Sequence, residues 1–168
     1  MYQQVAEQVA AERQNGVVLD VGCGPGHVAL SIARLAPGLD MRGADVSADM
    51  VNRATHNAER AGLAERLRFD VSEPTRLPYA GASVNLVVTT LSMHHWTDVP
   101  TMLRELARVV RPGGQVWIYD VRQPEMDADA LAAAVADGAF SAPRVEPMPL
   151  WVGVIPLRNF VRCTLDRR

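Results

Sequence analysis

The sequence predicts an α/β protein in which helices cover both faces of a mostly parallel sheet. Apolar segments of strand length alternate with amphipathic segments of helix length, in units of about 25 to 30 residues, as in parallel strands joined by crossover helices. The chain has 168 residues, of which 48% are hydrophobic, and this length and composition suit one domain with a substantial core. We therefore expect a single domain over residues 1–168.

Apolar periodicity assigns three helices and three strands to the first half of the chain. The patterns predict helices over 2–14, 27–35 and 48–61 and strands over 17–21, 39–46 and 66–71. Asn15 and Gly16 predict the end of the first helix. Ser47 is an N-cap residue for the third helix, and Gly62 is the residue that ends it.

The second half of the chain continues the alternation and then becomes rich in proline. The patterns predict strands over 84–91 and 115–121 and helices over 99–110 and 129–136. Residues 111–114, Arg-Pro-Gly-Gly, predict a break between a helix and the strand that follows it. Four later prolines confine any further strand to short pieces or to a sheet edge: Pro143, Pro147, Pro149 and Pro156.

Composition and charge exclude several classes of partner. The net charge is −2, and all 17 basic residues are arginines scattered along the chain, so nucleic acid is not an expected partner. Cys23 and Cys163 form no metal or redox spacing, and nothing indicates a disulfide-built secreted domain. No apolar run is long enough to span a bilayer, and the N-terminus does not resemble a signal peptide. We expect a cytoplasmic protein without a membrane partner.

Three glycines alternate with other residues directly after the first predicted strand, at Gly22, Gly24 and Gly26. Glycine permits positive φ angles and close approach of the backbone to a neighbour, and ligands of this fold class bind beyond the carboxyl ends of the strands. A dinucleotide fingerprint requires glycine where this chain has His27, and the Gly-Lys-Ser/Thr of a phosphate-binding loop is absent from the sequence. The loop is therefore shaped for a ligand, but it matches neither phosphate-binding pattern.

Five stretches resemble, in order and in spacing, the successive motifs of class I S-adenosylmethionine-dependent methyltransferases. They are VLDVGCGPGHVAL, GADVSADMVNRA, FDVSEPTRLPY, SVNLVVTTLSMHHW and LARVVRPGGQVWIYD. They extend from about residue 17 to residue 120 and are most similar to the small-molecule branch, such as the quinone-biosynthesis C-methyltransferases. The resemblance implies a three-layer Rossmann-like sandwich with a mostly parallel central sheet and an antiparallel C-terminal edge.

The resemblance also divides the chain into an N-terminal helix (1–16), a cofactor-binding core (17–120) and a shortened C-terminal helix with edge strands (121–168). The apolar segment Met148–Leu157 stands where the sixth and seventh strands of the family form the antiparallel edge. Because little chain remains to cover this segment, we expect an exposed patch that supports a homodimer. Alternatively, Trp151 and Val154 cap the core. The acceptor site is open, completed by a second subunit, or partly missing from this sequence.

Three acidic residues suit the polar groups of S-adenosylmethionine. Asp45 ends the second predicted strand, where its two oxygens can accept hydrogen bonds from both ribose hydroxyls. By resemblance, Glu73 stands where the family has an Asp that accepts from the adenine amine, although the longer side chain moves the acceptor by one methylene. Asp20 is implied to orient the glycine loop and the methionyl amine. Alternatively, it is a buried carboxylate that only holds glycine amides.

The other predicted cofactor contacts are backbone or apolar groups: Gly22, Cys23, Gly24, Gly26, Val46, Met50, Pro74 and Leu91. Met50 covers the adenine by analogy with the family, although a methionine on an apolar helix face commonly belongs to the core. Cys23 contributes only its backbone. Asp70, inside the third predicted strand, is expected to face solvent on an edge strand.

Two adjacent histidines, His94 and His95, follow the fourth predicted strand on the ligand side of the sheet. No carboxylate or cysteine lies at ligand spacing from them, so the sequence predicts no metal site. Imidazole titrates near neutral pH, and one of the two can act as the general base of methyl transfer. Alternatively, both only shape the pocket or satisfy backbone groups of the loop.

The sequence thus predicts an enzyme that transfers a methyl group from S-adenosylmethionine to a small-molecule acceptor and releases S-adenosylhomocysteine. Two alternatives stay open. One is a catalytically silent protein that binds S-adenosylmethionine, because no acceptor site can be recognised in the sequence. The other is a nicotinamide-dependent oxidoreductase, which His27 disfavours because it replaces the last glycine of the fingerprint.

Overall fold

The computed structural model describes residues 1–122, 128–135, 138–148, 150–152, 155–157 and 160–168. The helices in these ranges are α1 (Tyr2–Glu12), α2 (His27–Leu35), α3 (Ala48–Arg60), α4 (Val99–Val109) and α5 (Ala128–Ala134). The strands are β1 (Gly16–Val21), β2 (Leu39–Asp45), β3 (Leu67–Val71), β4 (Val84–Thr90), β5 (Val110–Val121), β6 (Arg144–Pro147), β7 (Leu150–Val152), β8 (Ile155–Leu157) and β9 (Phe160–Asp166). A 3-10 helical turn, Met93–His95, follows β4.

The main sheet has seven strands in the order β3-β2-β1-β4-β5-β9-β6. Strands β1 to β5 are parallel to one another, whereas β9 is antiparallel to β5 and to β6. The prediction of a mostly parallel sheet with an antiparallel edge is confirmed. Strand order reverses between β1 and β4, and such a reversal opens a crevice at the carboxyl ends of the two strands.

Two apolar clusters, one on each face of the sheet, make the fold a three-layer sandwich. Val18 of β1 packs in the cluster that contains residues of α1 and α2, and its neighbour Leu19 packs in the cluster that contains residues of α4 and α5. Because successive side chains of a strand point to opposite faces, a strand covered on both faces needs a continuous apolar run. The run that follows Gly16 meets this requirement.

The first helix ends earlier than the sequence indicates, at Glu12, and Gly16 belongs to β1. Gly16 has φ +105°, and a Cβ atom there would lie 2.6 Å from the side chain of Asn85. The Oδ1 atom of Asn85 accepts a hydrogen bond from the amide of Val17 at 2.9 Å. Glycine is thus needed at position 16 because a side chain there would collide with Asn85 of β4, and not because it ends the helix.

The third helix has the predicted ends, since Ser47 Oγ accepts a hydrogen bond from the amide of Met50 and Gly62 has φ +68°. The fourth helix ends at Val109, as the Arg-Pro-Gly-Gly sequence predicts, but the next strand begins earlier than predicted, because β5 starts at Val110. Val110 pairs with Val84, and the register then shifts before Gln115 pairs with Leu86. The Arg-Pro-Gly-Gly sequence therefore lies in an irregular part of the strand.

The antiparallel edge is formed by other residues than predicted. Strands β6 and β9 form it. In the part of the chain that the structure describes, β7 and β8, which lie within 148–157, pair only with each other as a two-stranded sheet. The alternate residues Val161, Cys163 and Leu165 of β9 are all buried, which fixes this strand against β5. Val154 lies outside the described residues, as does the side chain of Trp151, so their predicted roles in a dimer or in capping the core stay predictions.

Candidate cofactor and acceptor site

The glycine loop between β1 and α2 lies at the point where the strand order reverses. The amides of Gly22 and Cys23 both donate to the carbonyl oxygen of Ala44 on β2, at 2.8 and 3.1 Å. Gly22 has φ +72°, and a Cβ atom there would collide with Ser92 Oγ. The loop is therefore held close to both neighbouring strands, which any larger residue at this position would prevent.

A cleft of about 440 Å³ opens in front of this loop. Its lining comes from the loop and from the segments that follow β2, β3 and β4. It includes most of the predicted site residues, namely Gly22, Gly24, Asp45, Val46, Glu73, Pro74, Leu91 and His95. Lining residues that were not predicted include Ser72, Thr75, Leu77, Ser92, Trp96, Thr97 and Met102. The carboxyl ends of four strands, β1 to β4, thus converge on one cleft.

Asp45 lines the cleft and also holds the loop. Its Oδ2 atom accepts a hydrogen bond from the amide of Gly24 at 2.8 Å, and its Oδ1 atom accepts one from the amide of Ser47 at 3.0 Å. A carboxylate oxygen has two lone pairs, so each oxygen can still accept one further hydrogen bond. Asp45 can therefore bind a diol, although its carboxylate has a second task that the sequence did not reveal.

A smaller cavity of about 160 Å³ lies on the other side of the loop, lined by Asp20, Thr90, His27 and Tyr2 among others. The ring of Tyr2 stacks on that of His27, with centroids 5.7 Å apart. Within the described part of the chain, the buried atoms Asp20 Oδ2 and Thr90 Oγ1 have no hydrogen-bond partner. Burial, and secondarily the charge of Asp45, raises the pKa of Asp20 to about 7. The cavity therefore suits a ligand that brings a positively charged hydrogen-bond donor.

Besides Asp20, three predicted cofactor contacts are not among the residues that line the main cleft. Cys23 lines the smaller cavity, and burial raises the pKa of its thiol, so it is no nucleophile. Gly26, at φ +81°, lies so close to Ala54 and Phe69 that it serves the packing of the loop. Met50 is half-buried in the first turn of α3 and does not line the cleft among the described residues, so its role as adenine cover is not supported.

The segment after β3 contributes Glu73, which is exposed and lines the cleft beside Pro74. Asp70, within β3, is half-buried rather than solvent-facing. The hydroxyl of Tyr79 donates to its Oδ2 atom at 2.9 Å and to the carbonyl oxygen of Gly43 at 3.3 Å. The prediction of an edge strand is right, and the prediction for Asp70 is wrong because a later loop folds back over it.

His94 does not line the cleft, but it is held by a buried carboxylate. Asp120, at the carboxyl end of β5, is 1% exposed, and its Oδ1 atom lies 2.8 Å from Nδ1 of His94. Its Oδ2 atom accepts a hydrogen bond from the amide of His94 at 3.2 Å. A proton on Nδ1 facing the carboxylate leaves the lone pair of the imidazole on Nε2. Asp120 was not predicted from the sequence, although its position at the end of a strand was the available signal.

His95 lines the cleft, and its ring packs against the ring of His94 with centroids 3.9 Å apart. The neighbouring wall is mostly apolar, with Leu77, Trp96 and Met102. Leu91 lines both the cleft and the smaller cavity and has φ +52°, which is unfavourable for a leucine. The strained backbone thus lies at the junction of the two cavities.

In the described ranges, no three His, Cys, Asp or Glu side chains come together as a possible metal site. None of the helices described here has both the length and the apolar character that crossing a membrane requires.

Residues 18–114 match the model of a protein family described as "Methyltransferase domain". The chain belongs to this family. As a methyltransferase domain, it is 39% identical over 121 residues to the methyltransferase GfsG of Streptomyces halstedii, covering 72% of this chain and 43% of that protein. It is 36% identical over 103 residues to the 27-O-demethylrifamycin SV methyltransferase of Amycolatopsis mediterranei, covering 61% of this chain and 38% of that protein.

The domain spans less than half the length of these two relatives. Among solved structures, the YcgJ protein of Bacillus subtilis superimposes with a TM-score of 0.80, covering 98% of both chains. The identity to that protein is 16%, so this likeness concerns the fold. Together these comparisons confirm the resemblance to class I S-adenosylmethionine-dependent methyltransferases and to the Rossmann-like sandwich.

The residues present suit S-adenosylmethionine, the cofactor of this family. The two cavities meet at Gly22, Gly24 and Leu91, which line both. The unpartnered oxygen of Asp20 can accept a hydrogen bond from an ammonium group, and Asp45 can accept two from a diol. One elongated ligand with an amino acid at one end and a nucleoside at the other satisfies both carboxylates.

Proposed function

We propose that this methyltransferase domain transfers a methyl group from S-adenosylmethionine to a small-molecule acceptor. The observation that carries the proposal is the pair of cavities on either side of the glycine loop, each with a carboxylate that has unused acceptor capacity. In the proposed pose, the nucleoside lies in the larger cleft and the amino acid in the smaller cavity. The bound cofactor supplies an electrophilic methyl group carried by a sulfonium.

The chain's own residues bind and orient that cofactor. Asp45 accepts hydrogen bonds from the ribose hydroxyls while it keeps the loop amide of Gly24. Asp20 accepts one from the ammonium group, and Glu73 accepts one from the adenine amine. Gly22, Val46, Pro74 and Leu91 provide backbone and apolar contacts along the cleft. Holding both reactants in line is the main source of acceleration in such a transfer.

We also propose that His94 is the general base and that Asp120 is its positioning residue. The hydrogen bond at 2.8 Å between Nδ1 of His94 and Asp120 fixes the imidazole and leaves Nε2 free to take the proton that the acceptor loses. The ring of His95 packs against this imidazole and itself lines the cleft. An acceptor hydroxyl or carbon acid needs such a base, since its proton must leave as the new bond forms.

Calorimetric titration with S-adenosylmethionine and S-adenosylhomocysteine tests the cofactor assignment directly. A panel of phenols, alcohols, amines and carbon acids, with release of S-adenosylhomocysteine as the readout, then tests transfer. Binding followed by turnover of at least one acceptor supports the proposal. Binding without turnover of any acceptor favours a silent binding protein, and failure to bind either compound contradicts the cofactor assignment.

Three finer expectations from the sequence also remain proposals: a cytoplasmic location, an acceptor that is a small molecule rather than a nucleic acid, and a homodimer formed through Met148–Leu157. The small-molecule acceptor is supported by the name of the rifamycin relative and by the mostly apolar wall around Trp96. The homodimer rests on the apolar sequence of its segment.

A further inference from the structure

The cleft wall that follows β3 has no regular secondary structure. Residues 72–77, here called the wall segment, place five residues on the cleft, namely Ser72, Glu73, Pro74, Thr75 and Leu77. Its internal support is one turn, in which the amide of Arg76 donates to the carbonyl oxygen of Glu73 at 3.0 Å. A segment without a hydrogen-bond ladder takes its position from the groups that anchor it.

Anchors on the sheet side hold both ends of the wall segment. At its start, the amide of Ser72 donates to the carbonyl oxygen of Asp45 at 3.0 Å. Just beyond its end, the hydroxyl of Tyr79 donates to Asp70 on β3 and to the carbonyl oxygen of Gly43 on β2. These contacts fix the segment to the sheet, but they do not reach its opposite side.

The opposite side is held by two charged residues of α4. Glu105 Oε1 accepts a hydrogen bond from the amide of Leu77 at 2.7 Å. The guanidinium of Arg108 donates to the carbonyl oxygens of Leu77 and Tyr79 at 3.0 and 2.9 Å. The same guanidinium binds Glu105 in a two-pronged ion pair, with two contacts of 2.7 Å. Two side chains thus satisfy three backbone groups at the end of the wall segment.

Glu105 and Arg108 can hold the backbone of the wall segment because each side chain keeps the other in position. Only 12% of the Glu105 side chain is exposed, and the guanidinium of Arg108 lowers the pKa of its carboxyl below the usual range. Glu105 therefore stays ionised as an acceptor for Leu77 in neutral solution. A planar guanidinium that binds a carboxylate in this way has its remaining donors directed, here at two carbonyl oxygens.

We propose that Glu105 and Arg108 are positioning residues that hold the wall segment against the cofactor and thereby set cofactor affinity. Neither is among the described residues that line the cleft, so they act only through the backbone of Leu77 and Tyr79. This inference rests on the proposed function, because the wall segment faces the cofactor only if the larger cleft binds it. Breaking the pair should loosen one wall of the cleft while the sheet-side anchors remain.

The test compares Arg108→Gln with Arg144→Gln, a matched control. Arg144 also forms an ion pair on the protein surface, with Asp166, but lies on β6 and does not line the cleft. The dissociation constant of S-adenosylhomocysteine should rise at least about fivefold in Arg108→Gln and less than about twofold in Arg144→Gln. Hydrogen exchange of residues 72–79 should be faster in Arg108→Gln, and saturating S-adenosylhomocysteine should protect these amides less than in the wild type.

Glu105→Gln provides a second variant in case Arg108→Gln does not fold. The amide oxygen of the new glutamine can still accept a hydrogen bond from the amide of Leu77, although the charge that pairs with Arg108 is lost. The affinity for S-adenosylhomocysteine should therefore fall, but by less than in Arg108→Gln. The inference is overturned if the wild type binds S-adenosylhomocysteine and neither variant differs from it by more than the Arg144→Gln control. It is also overturned if affinity falls while exchange of residues 72–79 is unchanged. A wild type that does not bind overturns the proposed function and this inference together.

Discussion

The buried carboxyl of Asp20 should make the stability of the fold depend on pH. Burial raises its pKa to about 7, from an ordinary value of 3.8. The folded state therefore holds this proton more tightly than the unfolded state does. The contribution of protonated Asp20 to the free energy of unfolding is fully present at low pH. It declines as the pH rises above about 4, where the unfolded chain loses the proton. It levels off above about 7, where the folded protein has lost the proton as well.

The size of this effect follows from the difference between the two pKa values. Each unit corresponds to 1.36 kcal/mol, so a rise from 3.8 to about 7 amounts to about 4 kcal/mol between the two limits. That is a large fraction of the ~5–15 kcal/mol that stabilises a typical domain. Asp20→Asn removes the titrating group and keeps the size of the side chain.

Urea unfolding of the wild type and of Asp20→Asn, at several pH values between about 4 and 8, measures the effect. The stability of the wild type relative to the variant should fall by about 4 kcal/mol over this range. A relative stability that stays within about 1 kcal/mol at all pH values would refute the reasoning, because Asp20 would then be ionised in the folded state. Saturating S-adenosylhomocysteine, whose ammonium group pairs with Asp20 in the proposed pose, should flatten the pH dependence.

Five further variants test the proposed site and the proposed dimer. Asp45→Ala should weaken S-adenosylmethionine binding at least about tenfold in calorimetry, and Glu73→Gln should weaken it less, because an amide oxygen still accepts a hydrogen bond. Once an acceptor is known, His94→Ala should lower the single-turnover rate at least ~100-fold and remove an inflection from the dependence of that rate on pH. His95→Ala should lower the same rate less than about tenfold. The reverse order would make His95 the base. Trp151→Arg should convert a dimer into a folded monomer in sedimentation, and a wild type that is monomeric at micromolar concentration contradicts the dimer.

Local patterns were sufficient to predict the parts of the fold that depend on local chemistry. The cap at Ser47 and the end of the helix at Gly62 follow from which side chains and backbone angles a helix end needs. The position of Asp45 at the cleft follows from strand period and from the rule that ligands bind at the carboxyl ends of parallel strands. None of these inferences requires knowledge of a distant partner.

Contacts between distant residues could not be predicted in the same way. Asp120 contacts His94 across 26 positions, and Asn85 contacts Val17 across 68. Periodicity shows which face of a strand is buried, but it does not show which residue of another strand lies opposite. The misplaced antiparallel edge has the same origin, because the apolar sequence of 148–157 resembles an edge strand while the pairing of β9 with β5 is set by register.

The carboxylates of Asp20 and Asp45 lie on either side of the glycine loop, and each is close enough to the other for Asp45 to raise the pKa of Asp20. The combined negative field of the two carboxylates distinguishes S-adenosylmethionine from S-adenosylhomocysteine, since the sulfonium of the methyl donor is positively charged and the thioether of the product is neutral. A site with this field should hold the donor more tightly than the spent product, and added salt should change that preference little because Asp20 is buried. Inhibition by accumulated S-adenosylhomocysteine would then be weakened by two carboxylates that take no part in the bond changes.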